Sequence, residues 1–174
     1  GDALKVIIYE SELEKMAQFA SLYENIETGG DFFGFWTHSG APVVQLALGP
    51  GAKCRRTSTS FFQDVGYLKR VHAHLYARHG LQNIGEWHSH HKLGLDRPSR
   101  GDEATLRKGL HSHGLDKFML MIATLAKEER CVYQNYFITT PDGDGSMPLH
   151  VKVLRGVSPI RLMEEKEGNI FEGS

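Results

Sequence analysis

Ten histidines in 174 residues is an unusual count, and six of them stand as His-x-His pairs: His72/His74, His88/His90 and His111/His113. Spacing separates the three. On a strand, side chains two residues apart share a face, with Cα atoms roughly 6.6 Å apart. Two imidazoles can then converge on one cation at about 2.0–2.1 Å. On a helix, residues two apart are turned by roughly 200° and face away from each other. His72/His74 lies in a helical pattern. His111/His113 closes another, where the helix dipole gives a positive histidine reason enough to be there. His88/His90 ends the β-type run Ile84-Gly85-Glu86-Trp87, so it is the pair expected to chelate.

A third ligand is expected from Asp102, at the start of the following helix. Ser99 and Asp102 also have capping-box spacing, and a carboxylate at a helix start can point outward to a metal while serving as a cap. Two histidines, one carboxylate and an open fourth position make the pattern of a catalytic zinc site rather than a structural one. His91 and Asp96 are close in sequence, but no fourth ligand of the usual kind is evident. An open zinc makes hydroxide available near neutral pH, and hydrolysis then needs a general base. Glu27, before Thr28-Gly29-Gly30, is one candidate. Glu86 is another, sharing a face with both histidines by parity, and spacing leaves the choice open.

The elements that must position these residues follow from periodicity. Lys5 to Tyr9 reads as a strand. A helix from about Ser11 to Glu24 follows, with Ser11 and Glu14 as its capping box. Phe32 to Thr37 and Val43 to Leu48 read as strands joined by the turn Ser39-Gly40-Ala41-Pro42. Thr57 to Ser60 is polar and can cap a second helix running from Phe61 to about Arg78, stopped by Gly80. Ile84 to His90 is a buried strand, and His91 to Pro98 a loop. A third helix runs from near Ser99 to Gly114. Phe118 to Leu125 is the most apolar run and reads as the central strand. Cys131 to Thr140 and Leu149 to Leu154 form a hairpin around Pro141-Asp142-Gly143-Asp144-Gly145. The order reads as a mixed α/β sheet with flanking helices. One domain is expected over residues 1–162, with 163–174 as a charged, frayed tail.

Composition narrows the classes. Apolar residues make up 40% and charged residues 24%, ordinary for a globular chain. The net charge of -1 lacks the basic excess of a sequence-independent nucleic-acid binder. No apolar run reaches the roughly 18 residues that span a bilayer. Cys54 and Cys131 form no C-x-x-C pair and are expected as reduced, buried thiols. The first residues show no secretory pattern, and a cytoplasmic location is expected.

Glu27-Thr28-Gly29-Gly30-x-x-x-Gly34 resembles the opening strand motif E-x-G-G-x-x-x-G of the JAMM (MPN+) metalloproteases. Trp87-His88-Ser89-His90 with Pro98-Ser99-Arg100-Gly101-Asp102 resembles their H-S-H…S-x-x-D signature, most like the prokaryotic JAB branch. Together the likeness spans roughly Val6 to Leu154. It implies an MPN/JAB, cytidine-deaminase-like architecture and one zinc per chain held by His88, His90 and Asp102. It makes Glu27, not Glu86, the general base, and Ser99 a hydrogen-bond donor to the oxyanion. Two departures stand out. Eight residues separate His90 from Ser99 where the family has seven, and His91 replaces the family's proline. The resemblance further implies cleavage after the C-terminal glycine of a ubiquitin-like protein or its conjugates. Bacterial relatives accompany sulfur carriers or ubiquitin-like conjugation systems, antiviral operons included. The loop His91 to Pro98 is expected as one wall of the substrate channel. The alternative reading is a non-catalytic MPN-type interaction scaffold. A zinc deaminase is excluded by the missing P-C-x-x-C ligands.

Overall fold

The computed structural model describes residues 4–90, 96–126, 128, 130–143, 145–168 and 170–171. Nine strands and four helices occur among them: β1 (Lys5–Tyr9), α1 (Glu10–Leu22), β2 (Gly29–Trp36), β3 (Pro42–Leu48), β4 (Arg55–Arg56), β5 (Phe61–Phe62), α2 (Val65–His79), β6 (Gln82–His90), α3 (Arg100–His113), β7 (Phe118–Ala126), β8 (Cys131–Thr139), β9 (Met147–Leu154) and α4 (Pro159–Glu167).

Seven strands form one closed barrel in the order β1-β3-β2-β6-β7-β8-β9, and β4–β5 is a separate two-stranded ribbon. Closure comes from β1, which pairs in parallel with β3 on one side and with β9 on the other. This corrects the expected α/β sheet of MPN/JAB, cytidine-deaminase-like architecture: the structure is a closed seven-stranded mixed barrel with four helices. The reason is physical. Strand twist accumulates across a sheet, and the β1–β9 ladder joins residues at opposite ends of the sequence, a pairing that local periodicity does not encode.

Burial explains the strand sequences. In β7, Met119, Met121 and Ala123 enter the largest core cluster with Val6, Ile8, Phe32 and Trp87, while Leu120 and Ile122 face the other way and pack with Leu106 of α3. A strand buried on both faces reads as an unbroken apolar run, which is how Phe118 to Leu125 reads. In α2, Tyr67, Val71 and Leu75 cover Phe33, Leu46 and Leu48. Full burial of Val71 or Leu75 contributes about 2 kcal/mol each. Helices α2 and α3 thus lie over different strands and leave part of β6 between them.

Three local expectations change. Helix α1 starts directly from β1 with Tyr9 as its N-cap and no side-chain cap. The Ser11 hydroxyl instead donates to Glu12 Oε2 at 2.6 Å and accepts from the Ser158 N–H at 3.0 Å. Helix α2 starts at Val65, not Phe61, because Asp64 caps it by accepting the Tyr67 N–H at 3.1 Å, while Phe61–Phe62 pairs with Arg55–Arg56. The expected frayed tail begins as the last turns of α4. Glu164 is buried there, with its two oxygens 2.8 and 2.6 Å from the Nε2 atoms of His74 and His79. Buried Arg161 donates to buried Glu12 of α1 at 2.8–3.1 Å. Removing one partner of such a pair costs about 3–5 kcal/mol. No described helix is long and apolar enough to cross a membrane.

Candidate metal centre

The site is assembled at the C-terminal end of β6. His88 and His90 leave one face of that strand, with their Nε2 atoms 2.9 Å apart. Asp102 arrives from the first turn of α3. Its Oδ2 lies 3.5 Å from His88 Nε2 and 3.6 Å from His90 Nε2. Glu27 arrives from the segment before β2, with Oε1 3.7 Å from His90 Nε2. One ligand atom each from Glu27, His88 and His90 lie within 4.8 Å of one another. Imidazole nitrogens and carboxylate oxygens converging this closely could hold a metal ion. The geometry brings together all four residues and lets either carboxylate approach the histidines.

The capping box of α3 orients Asp102. Ser99 N–H donates to Asp102 Oδ2 at 2.9 Å, and Asp102 N–H donates to Ser99 Oγ at 3.0 Å. The oxygen that closes the capping box is therefore also the one that faces both histidines. Burial alone would raise the Asp102 carboxyl, but His88, His90 and the Ser99 N–H outweigh it and hold it well below the usual carboxylate range. An ionised carboxylate is the form that binds a metal.

Glu27 is buried, and the segment that carries it is fastened on both sides. Its N–H donates to the Thr57 carbonyl at 2.9 Å, beside the β4–β5 ribbon. Next to it, Thr28 N–H donates to Ser89 Oγ at 2.9 Å, and Ser89 N–H donates to the Thr28 carbonyl at 2.8 Å. Ser89 sits between the two histidines in sequence, points to the opposite face and is buried. It locks the glutamate-bearing segment to the histidine-bearing strand. Sequence reasoning missed this positioning role. The signal was present: a hydroxyl between two same-face residues of a strand must face inward, where it needs a partner.

Gly29 and Gly30 are needed for close approach. Opposite them in the β2–β6 ladder are His88 and Trp87. A Cβ on Gly30 would run into the Leu48 carbonyl oxygen and the Trp87 indole nitrogen, whose N–H donates to that same oxygen at 3.0 Å. A Cβ on Gly29 would meet the Trp87 carbonyl oxygen and the Phe61 ring. Any side chain here would push β2 away from β6, and Glu27 away from the histidines.

Glu86 pairs with Asp31 in the β2–β6 ladder, on the strand face of His88 and within electrostatic reach of it, but is absent from the cluster of Glu27, His88 and His90. His72 and His74 are on α2, where His72 packs on Phe33 and Tyr76 and His74 bonds to Glu164. His111 and His113 are in the last turn of α3. Neither pair belongs to a three-residue metal cluster among the described residues. Residues 91–95 of the expected channel wall His91 to Pro98, including His91, lie outside the described residues. Cys54 and Cys131 are half-buried and in no disulfide.

The chain is 32% identical over 107 residues to a Sinorhizobium fredii protein named "Probable metalloprotease y4qB". The match covers 60% of this chain and 65% of that protein's length. The fold resembles the solution structure of protein DSY2949 from Desulfitobacterium hafniense, with a TM-score of 0.65 and 16% identity over 87% of this chain and 94% of that one. No family model matches the chain.

Proposed function

We propose that this chain is a zinc-dependent peptidase of the JAMM type that hydrolyses the bond after the C-terminal glycine of a ubiquitin-like protein, free or conjugated. One observation carries the reading: two imidazole nitrogens 2.9 Å apart meet an Asp102 oxygen within 3.6 Å and a Glu27 oxygen within 3.7 Å at one strand end. The likeness to a protein named as a metalloprotease supports the coarse activity. The motif resemblance supports the type and the substrate.

His88, His90 and Asp102 would hold the zinc. When bound, the metal would supply a Lewis acid and lower the pKa of a bound water to about 7. Glu27, buried and beside His90, takes the water's proton on its carboxylate and returns it to the leaving amine. Ser99 Oγ accepts the Asp102 N–H and keeps its own hydrogen, which it donates to the carbonyl oxygen as negative charge develops there. Ser89 and the β4–β5 ribbon hold Glu27 in register.

The test is intact-mass measurement after incubating the chain with ubiquitin-like proteins fused through a terminal glycine to a reporter. Cleavage is expected directly after that glycine. A chelator should abolish it, and thiol alkylation should leave it unchanged, because neither cysteine is in the site. Cleavage elsewhere, or cleavage that survives metal removal, overturns the reading. Full zinc with no cleavage of any candidate favours the interaction scaffold.

A further inference from the structure

Glu27 stands at the end of an exposed stretch. Glu24, Asn25 and Ile26 belong to no helix or strand and face solvent, whereas Glu27 and Thr28 behind them are buried. One side chain reaches both ends of this stretch. Arg56, half-buried on β4, lays its guanidinium over the Tyr23 ring, with Cζ 3.9 Å from the ring centroid. Its Nε–H donates to Thr28 Oγ1 at 3.3 Å. Tyr23 is the C-cap of α1, and Thr28 follows Glu27 directly. A fully buried hydroxyl needs a partner. Ser89 already takes the Thr28 N–H and carbonyl, and Arg56 serves the side chain. The next residue completes the arrangement: the Thr57 carbonyl accepts the Glu27 N–H at 2.9 Å.

We propose that Arg56 is a positioning residue for Glu27, clamping the chain at Tyr23 and at Thr28 and so holding the carboxylate beside His90. The proposal rests on the reading of Glu27 as the base. Arginine suits the task because its guanidinium stacks through its face while donating in its plane, which a lysine ammonium cannot do. Glu27 Oε1 lies 3.7 Å from His90 Nε2, and that spacing depends on where the backbone of residues 24–28 runs. Misplacing a catalytic group by about 1 Å can cost on the order of 10²-fold in rate. Arg56 touches no reacting atom and acts through Glu27. An arginine that merely fastened the β4–β5 ribbon would affect stability without favouring the step that Glu27 performs.

Turnover of the glycine-linked reporter fusion and amide hydrogen exchange are read on the same zinc-loaded variants. Arg56→Ala and Arg56→Lys should each lower kcat about tenfold or more, with KM and zinc content held within about twofold. Thr28→Val, which removes the acceptor hydroxyl, should show the same loss, and Thr28→Ser, which keeps it, should recover most of it. In the Glu27→Gln background, Arg56→Ala should lower the residual kcat by no more than about twofold, because the group it positions has already lost its function. Exchange of the Glu27 amide should quicken about tenfold in Arg56→Ala, while that of Leu120, in the middle of β7, stays as in the parent. If Arg56→Ala fails to fold, Thr28→Val and Thr28→Ser decide. Unchanged kcat in both Arg56→Ala and Thr28→Val, a loss confined to KM, full additivity with Glu27→Gln, or unchanged Glu27 exchange overturns the proposal. Absence of turnover in the parent chain counts against the peptidase reading, and exchange of the Glu27 amide then decides the clamp by itself.

Discussion

At the scale of single residues, two glutamates compete for the role of base, and the geometry separates them. Glu27 Oε1 is 3.7 Å from His90 Nε2, whereas Glu86 faces Asp31 across the ladder. Glu27→Gln keeps the shape of the side chain and removes its basicity. That variant should retain zinc by elemental analysis and lose kcat by about 10²–10⁴-fold, the usual contribution of general acid–base catalysis. Glu86→Gln should keep zinc and retain turnover within about tenfold. The reverse pattern would make Glu86 the base. Asp102 shows how one atom can carry two readings. Its capping-box spacing was legible, and the same oxygen that accepts the Ser99 N–H also faces the histidines. Ser99 likewise is the cap, with a hydroxyl hydrogen left to donate.

At the scale of elements, periodicity decides which histidines meet. A strand puts His88 and His90 on one face, and a helix turns His72 from His74 and His111 from His113. Replacing either helical pair with glutamine should leave zinc content unchanged. His74→Gln should still lower stability, by about 1 kcal/mol, because it removes a 2.8 Å bond to buried Glu164 and loosens α4 from α2. Loss of zinc in a folded variant of either pair would show that the metal sits elsewhere. Element boundaries were less legible where tertiary contacts override local capping. Ser11 has the spacing of a cap but is occupied by Glu12 and Ser158. Phe61 and Phe62 extend the helical pattern of α2 but are spent on a ribbon that packs over Gly29. Charged residues after Leu162 look like a tail, yet His74 and His79 supply the partners of buried Glu164.

At the scale of the whole molecule, the buried acid Asp31 ties stability to pH. Its folded pKa, about 7, lies above the ordinary value of 3.8. Between those values the folded chain binds more protons than the unfolded one, so stability falls as pH rises from about 4 to about 7. Asp31→Asn removes that loss. It should match the parent chain near pH 4 and exceed it at pH 8 by on the order of 4 kcal/mol. Urea unfolding at both pH values, with chelator in every sample, measures the difference. A pH-independent difference would mean that the carboxyl is not strained by burial.

The sequence by itself determined the strand that carries His88 and His90, the helix that starts at Ser99, and the residue types able to hold a metal. These are local matters: period two against period 3.6, a cap, a glycine pair. Tertiary structure alone decided what depends on contacts distant in sequence. Barrel closure needs residues 5–9 beside residues 150–154, a ladder with no local signature. The place of Glu27 beside His90 needs the β2–β6 register and the Ser89–Thr28 tie, 61 residues apart. A cleft lined by Asp31 and Glu86 exists only because α2 and α3 pack over different strands. Side-chain chemistry and short-range geometry travel with the chain, whereas which groups share a desolvated space is settled only when the barrel closes.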